Sequence, residues 1–296
     1  MKDSFSTYHP LVNFLYFALV LVFAMLFIHP VCLVISLVGA FSYSIYQGGR
    51  KAARFGYIFM LPMFIVTALI NPAFNHEGAT ILTYLPGGNP LTLESIIYGA
   101  ATALMLIAVV CWFSCFNAVI TSDKFVYLFG RVIPALSLIL SMSLRLVPRF
   151  KAQIKTIAGA QRCIGRDVSS GSIFQRARHG IRILSIMVTW ALENAIETAD
   201  SMKSRGYGLS GRTAFSIFRF ARRDRSALLF LLAAGAYIAV GAVTGGLNFR
   251  YFPTARGTEI SLYSVSLFAA HVALCLMPLI LNIREDLNWK AIQSKI

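Results

Sequence analysis

Apolar residues run along this chain in long, nearly unbroken blocks separated by short polar joints. The blocks fall at residues 11–28, 31–47, 56–71, 95–120, 226–246 and 260–282. A helix of roughly 20 apolar residues crosses the hydrocarbon core of a bilayer, so each block predicts a membrane-spanning helix. The pair His29-Pro30 predicts a tight turn between the first two, because proline disfavours helical geometry in the residue before it. Between the third and fourth blocks lies NPAFNHEGATILTYLPGGNPLTLE, residues 71–94, which contains no Lys or Arg. Its proline and glycine clusters predict turns, and ILTYL predicts a short strand.

The pattern changes after residue 132. IPALSLILSMSLRLVP, residues 133–148, is apolar but short and bounded by Pro134 and Pro148; it predicts a helix lying in or dipping into the inner leaflet. Residues 149–164 place Phe150, Ile154, Ile157 and Ile164 on one helical stripe, with Gln161 filling the missing position. Ala158-Gly159-Ala160 offers almost no side-chain bulk, so another helix can cross closely there, and Gly165 suits the helix end.

A second helix is expected from near Ile181 to Ser204, a length of about 36 Å at 1.5 Å per residue. Its first half is apolar on nearly every face. Its second half sets Leu192, Ala195, Ala199 and Met202 on one stripe and Glu193, Glu197 and Asp200 on another. A helix that turns from oily to amphipathic along its length passes from a buried setting to a boundary, so its end should project into the cytoplasm. Arg205 and Gly206 are residue types that finish a helix. Taken singly, the first helix reads as an interfacial amphipathic helix and the second end as an ordinary cap.

Composition supports the membrane reading. Hydrophobic residues make up 57% of the 296 and charged residues only 13%, about half the charged share of a soluble domain. The net charge of +15 is then first a matter of cytoplasmic loops. With the N-terminus inside, only Arg250 and Arg256 of the 27 Lys and Arg lie outside, which satisfies the positive-inside rule and puts both termini in the cytoplasm. The fold class expected is an all-α polytopic membrane protein in the cell membrane, with about six transmembrane helices and long amphipathic cytoplasmic helices. Its regions are 1–132 with four spans, 133–215 in the cytoplasm and 216–296 with two spans. The first block is long for a signal peptide and no persuasive small-residue cleavage site follows it, so it is expected to remain as a span. Cys32, Cys111, Cys115, Cys163 and Cys275 are scattered and read as apolar fillers rather than a disulfide framework.

Several chemistries find no support. No G-x-x-x-x-G-K-[ST] phosphate loop occurs. The twelve acids lie outside span centres, which disfavours an ion-driven carrier, and the five histidines are dispersed without metal spacing. A membrane-embedded enzyme or a self-contained permease stands as the alternative. The basic cluster FRFARRDR, residues 218–225, sits just before a span, where it suits acidic lipid headgroups better than nucleic acid.

LRLVPRFKAQIKTIAGAQRCIG and ALENAIETADSMKSRGYGLSGRT resemble the EcfT/CbiQ-like transmembrane T subunits of energy-coupling factor (ECF) transporters. The likeness runs over most of residues 71–215. That family's signature is a pair of Ala-x-x-Arg-Gly-type motifs ending two long coupling helices. Ser201, Met202, Arg205, Gly206 and Tyr207 match the second motif, with Ser201 in place of the usual Ala. In the first, Ala160, Gln161, Arg162, Gly165 and Arg166 surround Ile164, which stands where the family has arginine. Either Arg162 or Arg166 substitutes, or that contact is apolar.

The resemblance implies a non-catalytic subunit of an ATP-driven importer. Its partners would be two ABC-type ATPases, which bind ATP-Mg, and a substrate-binding membrane S subunit for a vitamin or a transition-metal ion, with no cofactor in this chain. It also implies that the motif ends dock on the ATPases and that the helices cross. Ala158 and Gly159 would mark that crossing, and Glu193, Glu197 and Asp200 would pair with basic residues either on the crossing helix or on the ATPases.

Overall fold

In hydrocarbon a backbone must satisfy its own hydrogen-bonding groups, and a helix does so within one segment. The long apolar blocks accordingly become helices. The structure is a computed structural model and describes residues 3–84, 88–130, 134–207, 218–259 and 261–293. Its elements are α1 (Pro10–Leu26), α2 (Pro30–Phe55), α3 (Leu61–Phe74), β1 (Ile81–Tyr84), β2 (Pro90–Thr92), α4 (Leu93–Val119), α5 (Ser122–Gly130), α6 (Pro134–Cys163), α7 (Ile173–Ser204), α8 (Arg222–Val243), β3 (Phe249–Arg250), β4 (Arg256–Gly257) and α9 (Leu262–Gln293). Among the described residues four helices are long and apolar enough to span: Pro30–Gly49, Leu93–Val119, Arg222–Val243 and Leu262–Gln293. Pro10–Leu26 and Ile58–Phe74 are shorter apolar helices. These six coincide with the six apolar blocks, and the protein is an all-α membrane protein.

The chain forms two compact units, Met1–Lys124 with Phe218–Ile296, and Phe125–Ile217. In the first, the core is aromatic. Phe5, Tyr16, Phe17 and Trp112 are fully buried and meet edge to face, Tyr16 and Trp112 with centroids 5.9 Å apart. Their polar atoms are satisfied inside: Trp112 Nε1 donates to Ser36 Oγ at 3.0 Å and the Tyr16 hydroxyl to the Cys275 carbonyl at 3.1 Å. Small residues set the closest helix approaches, as they do wherever membrane helices pack. A Cβ on Gly39 of α2 would stand 2.9 Å from the Cys275 Cβ of α9.

The expected loop at 71–94 begins later than its sequence suggests, because α3 continues through Pro72 to Phe74. A proline within a helix removes its own N–H bond and crowds the carbonyl four residues back, here that of Ala68, without ending the helix. That freed carbonyl faces Gly99 of α4, where a Cβ would come within 2.6 Å of it. The strand expected at ILTYL is β1, paired antiparallel with β2; Leu85 lies outside the described residues. Toward its C-terminal end α2 is broken at Gly49, whose φ of 54° and ψ of −137° no helix contains.

In the second unit two expectations are corrected. The break expected at Pro148 is absent: α6 is one helix of 30 residues with Pro148 inside it. One missing bond, to the Leu144 carbonyl, does not end a helix whose other turns remain bonded. Likewise α7 starts at Ile173, not near Ile181. Ser172 and Gln175 form a reciprocal capping box, with Gln175 N–H donating to Ser172 Oγ at 3.4 Å and Ser172 N–H to Gln175 Oε1 at 3.1 Å. That cap offsets Gly180, a residue that costs a helix interior about 1 kcal/mol relative to Ala. With 32 residues, α7 is about 48 Å long rather than 36 Å.

Candidate functional site

The conspicuous sequence of this chain lies at the C-terminal ends of α6 and α7. Every α-helix ends with carbonyls that lack intrahelical donors. A residue with positive φ just past the end can fold the chain back so that later N–H groups satisfy them. Both helices end in this way. After α6, Gly165 has φ 76°, its N–H donates to the Arg162 carbonyl at 3.0 Å, and Arg166 N–H donates to the Gln161 carbonyl at 2.9 Å. After α7, Gly206 has φ 74°, its N–H donates to the Lys203 carbonyl at 2.9 Å, and Tyr207 N–H donates to the Met202 carbonyl at 3.0 Å. The shared hydrogen-bond pattern sets the two ends in register: Ala160 with Ser201, Gln161 with Met202, Arg162 with Lys203, Ile164 with Arg205, Gly165 with Gly206 and Arg166 with Tyr207.

The first end is further braced by its own loop. Arg162 Nε lies 3.1 Å from Asp167 Oδ2. Asp167 also accepts from the Ser169 N–H at 3.0 Å and the Ser169 hydroxyl at 2.6 Å. The Ser169 hydroxyl and N–H, with help from Arg162, hold the Asp167 carboxyl below its ordinary value. Arg176 Nε donates to the Val168 carbonyl at 2.8 Å, tying the loop to the start of α7. Of the two arginines that flank Ile164, Arg162 is therefore already paired, whereas Arg166 is exposed and has no carboxylate within 4 Å among the described residues. Gln161 is half-buried and Ala160 exposed. At the second end Ser201 and Arg205 are exposed, Met202 and Gly206 half-buried, and Tyr207 is 41% exposed.

Above these ends α6 and α7 pack through a small apolar cluster. Ile157, Ile183 and Met187 are buried, with Phe150, Ala158 and Trp190 against them. Phe150 meets Trp190 edge to face at 5.6 Å, and the Arg149 guanidinium lies over the same indole at 5.5 Å. The close crossing expected at Ala158 and Gly159 is met only in part. Ala158 joins the cluster, but a Cβ on Gly159 would meet nothing within 4 Å. Gly159 is on the outer face because the helix turns it about 100° from Ala158.

Of the ion pairs expected of Glu193, Glu197 and Asp200, those with the crossing helix are not formed among the described residues. All three are exposed, and no Lys or Arg among the described residues lies within 4 Å of them. The inward face of α7 runs instead through Ile183, Met187, Trp190 and Asn194, at helical spacings of 4, 3 and 4. Asn194, 8% exposed, was hidden among the acids of the sequence; its spacing from Met187 and Trp190 is the signal that finds it. Leu192, at 63%, and Ala195 and Ala199 are open.

Chemically the arrangement is two helix ends whose last carbonyls are satisfied, carrying guanidinium groups beyond a small buried apolar cluster. No group of three or more His, Cys, Asp or Glu with metal-binding geometry occurs among the described residues.

The family model for the cobalt transport protein CbiQ matches residues 4–215, a stretch that contains both helix ends. The chain is similar to the energy-coupling factor transporter transmembrane protein EcfT of Lactobacillus helveticus, 33% identical over 98 residues that cover 33% of this chain and 35% of the relative. Its likeness to EcfT of Lacticaseibacillus paracasei is 35% over 107 residues, 36% of this chain and 39% of the relative. With EcfT of Staphylococcus aureus the match is longer and weaker, 26% over 195 residues, covering 62% of this chain and 72% of the relative. The chain thus spans little more than a third of the length of the first two relatives. The family match, by contrast, takes in most of the chain and every residue of the paired helix ends, and it is on this match that the protein belongs to the CbiQ cobalt transport protein family.

Proposed function

We propose that the chain is the transmembrane energy-coupling component of an ECF-type ABC importer in the cell membrane. Two ABC ATPases, which bind ATP-Mg, engage the ends of α6 and α7. Their ATP-driven approach moves the two helices, and the motion passes to a substrate-binding membrane subunit that takes up a vitamin or a transition-metal ion. This chain is not itself catalytic. Both of its termini lie in the cytoplasm, where the helix ends can meet the ATPases.

The observation that carries the reading is the identical closure at Gly165 and Gly206. Two copies of one partner need two equivalent handles, and here the same backbone geometry recurs at two helix ends of different sequence. The names of the relatives support the same assignment. An arginine held on a rigid helix end suits an acidic groove, and a glycine beyond it lets another backbone approach closely. Arg166, just beyond α6, suits this role as well: it stands in register with Tyr207, next to the glycine, and of the pair around Ile164 it is the one with no carboxylate within 4 Å among the described residues.

Arg205→Glu tests the proposal. The altered chain should lose co-purifying ATPases and ATP-driven uptake of radiolabelled cobalt ion or vitamin, each by about tenfold or more, the scale of a lost charge-assisted contact turned repulsive. Normal retention and normal uptake would remove Arg205 from coupling.

A further inference from the structure

The chain leaves its first unit after Lys124 and re-enters it at Phe218, and one short segment, Asp3–His9, is bonded to both crossings. At the departure, Lys124 is 7% exposed and is the one buried Lys or Arg among the described residues. Its ammonium donates to the Ser6 carbonyl and, at 3.0 Å, to the Val119 carbonyl. With the Asn13 amide oriented to satisfy both of its atoms, Asn13 Oδ1 accepts from Lys124 at 2.9 Å and Nδ2 donates to the Phe5 carbonyl at 3.0 Å.

At the return, Asp224 is 2% exposed. It accepts from the His9 N–H at 3.0 Å and, through its other oxygen, from the Ala221 N–H at 2.8 Å. Arg223 donates to the Thr7 carbonyl at 3.1 Å and lies over the Tyr8 ring at 4.9 Å. Phe220 meets the His9 ring at 5.1 Å.

The segment itself is fixed. Phe5 is fully buried, and its N–H donates to Asn282 Oδ1 of α9 at 3.0 Å. Asp3 accepts from Asn282 Nδ2 at 2.7 Å, from the Tyr43 hydroxyl at 2.7 Å and from Gln47 Nε2 at 3.0 Å. Burying a lysine and an aspartate is costly unless each is fully bonded, and here the bonding leads in both cases to the same seven residues. A stack of aromatic side chains alone would hold the N-terminus more simply. What the two charges add is attachment to the two places where the coupling helices' unit joins the membrane bundle.

We infer that Asp3–His9 is a clasp that holds the two junctions of the α6–α7 unit at fixed separation, so that force applied at the helix ends reaches the spans instead of being lost in slack at the joints. Lys124, Arg223 and Asp224 are its positioning residues. The inference rests on the proposed coupling function, because a fixed joint matters only if force is applied at the helix ends.

The test uses the full complex, purified with its ATPases and substrate subunit and reconstituted in liposomes, and reads ATP hydrolysed per radiolabelled cobalt ion or vitamin taken up. Lys124→Met and Asp224→Asn should raise that ratio by about fivefold or more, the lower range of ordinary coupling effects, while hydrolysis continues. Lys124→Arg, which keeps a donor, should stay near the unaltered value. Arg223→Ala removes an exposed clasp contact without opening the core, and should raise the ratio by about twofold even if the buried variants fail to assemble. An unchanged ratio in Arg223→Ala, or hydrolysis and uptake falling together in every variant, overturns the clasp. Failure of the unaltered chain to retain ATPases overturns the proposed function instead, and the clasp with it.

Discussion

Gly165 and Gly206 occupy equivalent positions at the ends of two helices that share almost no sequence there. Their φ values, 76° and 74°, differ by less than the ordinary scatter within a helix. Each folds its chain back so that two following N–H groups cap two carbonyls. Any L-residue other than glycine pays about 1–2 kcal/mol in that region of backbone space.

Gly206→Ala should therefore loosen the last turn of α7 and Gly165→Ala that of α6, each by about 1 kcal/mol. Amide hydrogen exchange at residues 202–207 and 161–166 should speed up about fivefold, with the rest of each helix unchanged. ATPase retention should fall in both variants, and further in the double variant than in either single one.

The pairing of Arg162 with Asp167 sets an order among the α6 arginines. Arg166→Ala should weaken ATPase binding about tenfold, whereas Arg162→Ala should weaken it less and act mainly by freeing the loop, since exposed ion pairs contribute at most about 1 kcal/mol. Affinity of the purified ATPases for each variant, measured in detergent, gives the order directly. A larger loss for Arg162→Ala would reverse the assignment.

Separation of the two helices should follow from thinning their small shared core. Ile183→Ala is expected to cost about 2 kcal/mol, the low end for buried Ile, because the cluster has few members and can partly collapse. Limited proteolysis should then cut within 164–172 sooner, and transport should fall although both helix ends keep their sequence.

Acid should act on the α6–α7 loop through Asp167. Its carboxyl is held below the ordinary value of 3.8 by Ser169 and Arg162, so the stabilisation is full above that value and disappears as pH falls through the depressed folded value. Protection of the amides across 164–171, relative to their intrinsic exchange rate at each pH, should be flat from neutral pH down to about pH 4 and fall below it. Asp167→Asn should show the lower protection already at neutral pH and little further response to acid.

Much of the fold was legible because the bilayer demands it. Six apolar blocks became six apolar helices, and a turn-rich loop around ILTYL became a hairpin. The two glycine ends were equally plain. What escaped depended on partners distant in the chain or on signals that compete. Proline at 72 and 148 argued for breaks, yet one lost bond does not outweigh a long helix around it. The start expected near Ile181 passed over the Ser-x-x-Gln box at 172–175, which determines where α7 begins. The acids at 193, 197 and 200 drew attention from Asn194, the residue that faces inward. Most hidden was Phe5, whose burial depends on Tyr16, Phe17 and Tyr43; no local pattern announces it. Asp224 was masked in the same way by the arginines around it.

One exposed thiol among five gives this protein a built-in handle for spectroscopy. Cys163 is open to solvent while Cys32, Cys111, Cys115 and Cys275 are packed inside the bundle, so a maleimide dye or spin label added to the unaltered chain should react there first. Cys163 is the last residue of α6, three positions from Arg166. A probe attached to it would sit on the end of α6 and report the motion proposed for that end without a single engineered residue.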